Sequence, residues 1–241
     1  PFVMTAKCIF QDLWQLGLQW DDPLPPDGSE AFSRWLKELD QLKDLRIPRC
    51  YSERAWKDSG AVELHAFSDA SPKGYGTAIY LRVPLSDGSF GVSLVMAKGR
   101  VAPLKQVTLP RLELLGCLVA ARLLVFVREA LRLSDATPCF CWSDSMIALG
   151  WIRARPQRWK QFVANRVTEI QSLTSPSNWS HVSSADNPAD LTTRGVSAEE
   201  LVSSRLWWSG PSWLSEPAGS PAVAGESDPV ETESAETATS V

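Results

Sequence analysis

The chain has 241 residues, enough for one sizeable domain with flanking segments, and its 44% hydrophobic and 22% charged residues are typical of globular proteins. Its formal net charge of −4 comes from residues 216–241, which contain six acids and no base. Residues 1–215 hold 24 basic and 22 acidic side chains, and this weakly positive body permits a nucleic-acid partner without requiring one.

Several classes of protein are excluded by the same composition. The chain has no run of about 18 apolar residues and no basic-then-apolar leader, so we expect neither a membrane span nor a signal peptide. Five cysteines without CxxC spacing argue against a zinc site and favour a reduced, intracellular setting, cytoplasmic or nuclear. Because the chain begins at Pro1, we interpret it as a piece of a longer polypeptide.

Two helices are predicted ahead of the main domain. Residues 5–20 have apolar side chains at helical spacing. Residues 29–47 repeat that pattern, with Ser29 as the expected N-cap and Pro48 just after the end. A segment rich in Pro, Asp and Gly separates the two helices. We assign residues 1–57 to a helical connection segment.

From about residue 61 the pattern changes to β-rich runs that alternate with helical runs. The order is three strands, a long helix, a strand, two helices, a strand and a final helix or turn. The predicted ranges are 62–70, 74–83, 89–101, 108–133, 137–145, 145–154, 158–173, 177–185 and 187–195. This order predicts an α/β domain over residues 58–215, with a five-stranded mixed sheet and helices on both faces. Residues 205–214, which contain three tryptophans, are expected to dock on the domain, and residues 216–241 are predicted to be disordered.

Four acidic side chains stand out by their predicted positions. Asp69 ends the first strand, Asp144 ends the fourth, and Glu113 lies in the first turns of the long helix. In "NPAD", Asn187 is the expected N-cap, which places Asp190 just inside the last helix. If the first and fourth strands are neighbours, two carboxylates meet there and repel unless a cation separates them. Divalent cations prefer oxygen ligands, so the pattern predicts a metal site.

The motifs that carry these acids resemble a known fold. On this order of elements, "FSDASPKGYGTAIY", "LPRLELLG", "CFCWSDS" and "NPADLTTRG" resemble the ribonuclease H fold. Together with "TAKCIFQDLW", "IPRCY" and "FVANRVTEI", they resemble the segment after the polymerase in polyproteins of BEL/Pao-class LTR retrotransposons, over about residues 5–215. The family motif has its last acid after Ala, which favours Asp190 over its rival Asp186.

This resemblance implies a ribonuclease H that hydrolyses the RNA strand of RNA–DNA hybrids during reverse transcription. It implies two Mg²⁺ ions, for which Mn²⁺ can substitute, with Asp69 bridging both, Glu113 and Asp144 on one, and Asp190 on the other. The implied products carry 3′-hydroxyl and 5′-phosphate ends. The implied partners are the hybrid and the adjacent reverse transcriptase and integrase parts of the polyprotein. The loop histidine of many cellular relatives is absent here, because "VSSADNPAD" contains none.

Further candidates for contact with nucleic acid flank the acids. Two serines close behind an acid and four basic residues near Asp144 are predicted to touch the substrate backbone: Ser71, Ser145, Arg153, Arg155, Arg158 and Lys160. The serines could equally cap the next turn.

Two other functions stay open. One is a non-catalytic, ribonuclease H-like module that binds nucleic acid or connects parts of the polyprotein. The other is an aspartic-type peptidase, which needs an Asp-Thr/Ser-Gly loop, whereas "SDAS" and "SDSM" lack the glycine.

Overall fold

A five-stranded mixed sheet organises the protein, whose computed structural model describes residues 1–51, 62–85, 87–217 and 236–237. The strands are β1 Glu63–Ser71, β2 Gly74–Pro84, β3 Phe90–Val101, β4 Cys139–Ser143 and β5 Trp179–His181. Their spatial order is β3-β2-β1-β4-β5. The first three strands are antiparallel, and β4 and β5 continue parallel to β1. The predicted mixed sheet of five strands is confirmed.

Helices cover both faces of this sheet, as the sequence predicts. Their bounds are α1 Phe2–Gln15, α2 Pro26–Glu38, α3 Leu109–Ala130, α4 Met146–Arg153, α5 Gln161–Leu173, α6 Asp190–Arg194, α7 Ala198–Ser203 and α8 Arg205–Ser209. Although α3 has 22 residues, no helix in the described part of the chain is both long and apolar enough to cross a membrane.

Alternating side chains of β1 build the two halves of the core. Leu64 and Ala66 face the cluster formed with α3, α4 and α5. Phe67 lies in the opposite cluster, which contains Trp142 and apolar side chains of α6, α7 and α8. Both halves bury large apolar side chains because strand residues alternate between the faces of a sheet.

The N-terminal helices differ from the prediction at both ends, since α1 begins before residue 5 and ends at Gln15, and α2 begins before Ser29 and ends at Glu38, well before Pro48. α2 begins at Pro26, and the backbone N–H of Ser29 donates to the carbonyl of Pro25 at 2.9 Å. Ser29 is therefore inside the first turn, and its prediction as the N-cap was wrong. Proline fits the first turn because a helix needs no hydrogen bond from that N–H. α1 lies against the edge strand, since Lys7 donates to the β3 carbonyl of Gly99 at 2.8 Å.

Residues 205–214, which include α8, dock on the sheet, as predicted from their tryptophans. The hydroxyl of Tyr80 donates to the carbonyl of Trp207 at 2.7 Å. Buried Arg82 donates to the carbonyls of Leu214 and Glu216, each at 2.7 Å. These bonds satisfy a guanidinium that would be costly to bury alone.

Most of the predicted disordered tail, residues 218–235 and 238–241, lies outside the described residues. Glu236 and Thr237 are described, and both contact the body of the domain. For these two residues and for Glu216, whose carbonyl accepts from Arg82, the prediction of disorder was wrong, because an ion pair and hydrogen bonds to the backbone hold them in place.

Candidate active site

The register of two parallel strands brings the first pair of acids together. Ser68 in β1 lies opposite Ser143 in β4, so the next residues, Asp69 and Asp144, emerge side by side. Asp144 directly follows β4, as predicted. Asp69 is still inside β1, which runs on to Ser71, so the prediction that it ends the strand was wrong. The carboxylate nevertheless sits at the level where β4 stops.

A close contact between helix and strand positions Glu113. Gly116 in α3 lies so near β1 that a Cβ atom there would come within 2.8 Å of the backbone oxygen of Asp69. Glycine is required at such an approach. Glu113 is one helical turn before this contact, and its carboxylate accepts a hydrogen bond from the hydroxyl of Ser145. The same Ser145 oxygen caps α4 by accepting from the N–H of Ala148 at 3.2 Å.

Asp190 is the first residue of α6 and follows a turn made by "NPA". Asn187 does not cap the helix as predicted, since the N-cap residue of α6 is Ala189. The Asn187 amide instead donates to the β1 carbonyl of Ser68 at 3.0 Å, and its oxygen accepts from the N–H of Ala189 at 3.2 Å. This fully buried amide fastens the Asp190 segment to the strand that carries Asp69.

Each of the other carboxylates is also held by a neighbouring donor. Thr193 donates to Asp69 at 2.5 Å, and Ser184 donates to Asp144 at 2.7 Å. Arg194 pairs with Asp190 at 2.5 Å.

These three donors were missed from the sequence. The available signal was helical spacing in "NPADLTTRG", because Thr193 and Arg194 follow Asp190 by three and four residues. The rival acid Asp186 accepts from Ser183 at 3.0 Å within its own turn.

The acids share one electrostatic environment. Burial, with smaller contributions from the charges of Asp144 and Asp190, raises the pKa of Asp69 to about 7, although the hydrogen bond from Thr193 acts to lower it. Burial also raises the pKa of Glu113, with a further contribution from the charge of Asp144. The carboxylates are therefore close enough to repel one another in a site where only 6% of Asp69 is exposed.

The donor set fits a hard divalent cation in its chemistry. Carboxylate oxygens are the preferred ligands of Mg²⁺ and Mn²⁺, and a cation would relieve the repulsion that raises the pKa of Asp69. Among the described residues, however, no three His, Cys, Asp or Glu side chains converge as metal ligands. Each of the four carboxylates instead accepts a hydrogen bond from a side chain of this protein: Thr193, Ser145, Ser184 or Arg194.

A family model described as the Pao retrotransposon-like RNaseH-like domain matches residues 1–145, more than half of the chain. The chain belongs to this family. The match includes both N-terminal helices of this Pao domain and reaches just past Asp144, whereas Asp190 lies beyond it. No curated protein matches the chain.

Two solved structures are similar to the Pao domain. One is the N-terminal RNase H domain of rv2228c from Mycobacterium tuberculosis, solved as a fusion with maltose binding protein. It is 16% identical, with a TM-score of 0.39, over 58% of this chain and 94% of that one. The other is RNase H1 from the halophilic archaeon Halobacterium salinarum NRC-1. It is 16% identical, with a TM-score of 0.35, over 55% of this chain and 94% of that one.

The serines predicted to touch nucleic acid are engaged inside the Pao domain. Buried Ser71 donates to the carbonyl of Thr193 at 3.0 Å and accepts from the N–H of Lys73 at 3.2 Å. Ser145 is occupied by Glu113, as described above. Both hydroxyls fix the site from within, and a contact with substrate stays a prediction.

The four predicted basic residues lie at the end of α4 and just after it, and all four are exposed. Arg153 donates to the carbonyl of Trp179 at 3.1 Å. Arg158 lies over the ring of Trp159, with 5.5 Å between its guanidinium carbon and the ring centroid. Arg155 and Lys160 flank the same turn. This surface carries positive charge near the acids, and its role in nucleic-acid binding stays a prediction.

Proposed function

We propose that this Pao domain hydrolyses the RNA strand of RNA–DNA hybrids in a reaction that depends on Mg²⁺ or Mn²⁺. The observation that carries the proposal is the burial of Asp69 next to Asp144, which the register of β1 and β4 brings beside it, at the end of the sheet where the charge of Asp190 also acts on it. Burying a turn-forming or capping carboxylate beside two other acids is unfavourable, because the like charges repel. In a cation-binding centre the same arrangement is favourable, because the cation compensates the negative charge.

Each acid has a proposed task in this reaction. Asp69 would lie between two cations, Glu113 and Asp144 would hold one of them, and Asp190 would hold the other. Two such ions, when bound, activate water and stabilise both oxygens of an in-line displacement at phosphorus. The chain itself keeps Asp69 in place through Thr193, with a bond of 2.5 Å.

The proposed partners follow from this substrate. An RNA–DNA hybrid would lie across the sheet end that carries the acids, with its phosphates near the basic residues after α4. Reverse transcriptase and integrase parts of the same polyprotein would be its neighbours, in a cytoplasmic particle or in the nucleus.

The test is cleavage of a hybrid whose RNA strand carries a 5′ label. We expect products with 3′-hydroxyl ends in Mg²⁺ or Mn²⁺ and none in EDTA. Asp69→Asn and Glu113→Gln should lose at least about 100-fold in rate, since each removes a charged ligand of the cations that would stabilise the transition state. The matched control is Glu199→Gln, an exposed glutamate in α7. A folded protein that leaves the hybrid intact with either metal would contradict the proposal.

A second candidate is a module that binds the hybrid without cutting it. The observation in its favour is that all four carboxylates already bond to donors of this chain, including the cationic Arg194. Such a module would bind the hybrid equally in Mg²⁺ and in EDTA, and Asp69→Asn would leave its affinity unchanged. The cleavage assay separates the two candidates, because only the nuclease converts the hybrid to product.

A further inference from the structure

An acidic residue of the C-terminal segment is seated on a basic site beside the acids. The carboxylate of Glu236 meets the guanidinium of Arg111 with both oxygens, at 2.8 Å to Nε and 3.0 Å to Nη2. Its backbone carbonyl accepts from the N–H of Lys160 at 2.7 Å, and Thr237 forms an antiparallel bridge with Trp159. Only 9% of Glu236 is exposed, although 125 positions separate it from Arg111.

Arg111 is itself held rigidly near the candidate active site. It lies in the first turn of α3, two residues before Glu113. Its guanidinium carbon is 4.7 Å from the centroid of the Phe162 ring, and Arg166 packs on the same ring at 3.6 Å. Two guanidinium groups on one aromatic ring make a fixed, strongly positive surface.

This geometry suits a phosphate as well as it suits a carboxylate. The planar fork of an arginine binds two oxygens of either group through two parallel hydrogen bonds. A carboxylate with one oxygen on Nε and the other on Nη2 therefore occupies the positions of two phosphodiester oxygens. α3 begins at the end of the sheet that carries the acids, since β3 ends at Val101 opposite Gly74 and Leu112 packs with Ala70. Arg111, in the first turn of α3, therefore lies at that end, although its side chain leaves the helix on a different side from Glu113. A strand whose scissile phosphate lies at the acids would bring a neighbouring phosphate toward Arg111.

We propose that Glu236 occupies a phosphodiester site of the nucleic-acid substrate, so that the acidic C-terminal segment competes with the hybrid for Arg111. The inference rests on the proposed function, because it assumes that nucleic acid binds beside the acids. The segment is covalently attached, so its local concentration stays high whatever the concentration of the protein. Substrate binding must displace Glu236, and the acids around it in the sequence add repulsion.

The experiment measures the dissociation constant of a fluorescent RNA–DNA hybrid by anisotropy, in EDTA, as a function of salt concentration. Glu236→Gln should bind the hybrid about five- to tenfold more tightly than the wild type. This gain is expected if Glu236 occupies the Arg111 site in about 80–90% of wild-type molecules, since only the remainder can bind the hybrid there. The control Glu199→Gln removes the same charge from α7 and should change nothing. Arg111→Gln should weaken binding and lower the salt slope of log K by about 1, as expected for one lost phosphate contact.

The double variant separates competition from general electrostatics. In an Arg111→Gln background, Glu236→Gln should give no gain, because the contested site is gone. Equal binding by Glu236→Gln and Glu199→Gln would overturn the inference. An equal gain with and without Arg111 would also overturn it, since the effect would then be one of net charge. If the folded wild type and every variant fail to bind the hybrid, the proposed function itself is contradicted, and the inference falls with it.

Discussion

Replacing Asp69 by asparagine is expected to stabilise the metal-free protein above neutral pH while abolishing cleavage. Burial and the charges of Asp144 and Asp190 raise the pKa of this carboxyl from 3.8 to about 7. Between these pH values the unfolded chain has released the proton and the native protein has kept it. The free energy of unfolding therefore falls as the pH rises through this window.

The size of the effect follows from the same pKa. The gap between 3.8 and about 7 corresponds to about 4 kcal/mol of lost stability at pH 8, at about 1.36 kcal/mol per pH unit. Asparagine removes the charge but accepts a weaker hydrogen bond from Thr193, a difference of about 1 kcal/mol, and its amide is still buried. We expect a net gain of about 2 kcal/mol, or a rise in Tm of about 4–8 °C.

The assay is urea unfolding in EDTA at pH 4 and pH 8, with Asp44→Asn as a control at an exposed aspartate. From pH 4 to pH 8 the free energy of unfolding of the wild type should fall relative to that of Asp69→Asn. At pH 4 the two proteins should have nearly equal free energies of unfolding. Added Mg²⁺ should stabilise the wild type more than the variant, because binding to the native state alone raises stability. A variant that is less stable than the wild type at pH 8 would mean that the carboxylate holds the fold together, and the reasoning would be refuted.

Three further predictions concern neighbouring groups. Burial lowers the pKa of His65, and its Nδ1 accepts a hydrogen bond from the indole of Trp142. The free energy of unfolding of the wild type should therefore fall as the pH drops below 6.5. His65→Phe should lose this pH dependence in urea titrations between pH 7 and pH 5. Gly116→Ala should lower the free energy of unfolding by about 1–3 kcal/mol, because the new methyl group meets the backbone oxygen of Asp69 at 2.8 Å. An unchanged Tm would contradict this close approach. Thr193→Val should slow hybrid cleavage about tenfold or more at unchanged KM, since it removes the donor that orients Asp69, and Thr193→Ser should restore the rate. Equal rates for Val and Ser would show that the hydroxyl has no positioning role.

The sheet and its helices were predictable because local pattern and tertiary environment agree. β1 and β2 are central strands, so their apolar runs reflect burial on both faces. The side-by-side placement of Asp69 and Asp144 was predictable too, since each acid follows an apolar run typical of a buried strand and the two strands are neighbours.

Other features were unpredictable because distant contacts override local preference. Asn187 is a good N-cap by propensity, yet its amide is used by the carbonyl of Ser68, which is far away in sequence. The contact between Glu236 and Arg111 has no local signal at all, because the tail around it has the composition of a disordered chain. Three of the donors to the four acids, Thr193, Ser145 and Ser184, likewise come from segments far in sequence from their acids, so only the folded chain brings them together.

The most direct test of the metal centre is diffraction from crystals soaked in Mn²⁺, with data collected to locate the anomalous signal of manganese. We expect an anomalous peak between the carboxylates of Asp69 and Asp144, with the bond from Thr193 to Asp69 retained. Crystals of Asp69→Asn should lack that peak under the same conditions. Well-diffracting wild-type crystals with no manganese at these acids would contradict the account, and would leave the carboxylates bonded to their own chain as the functional state.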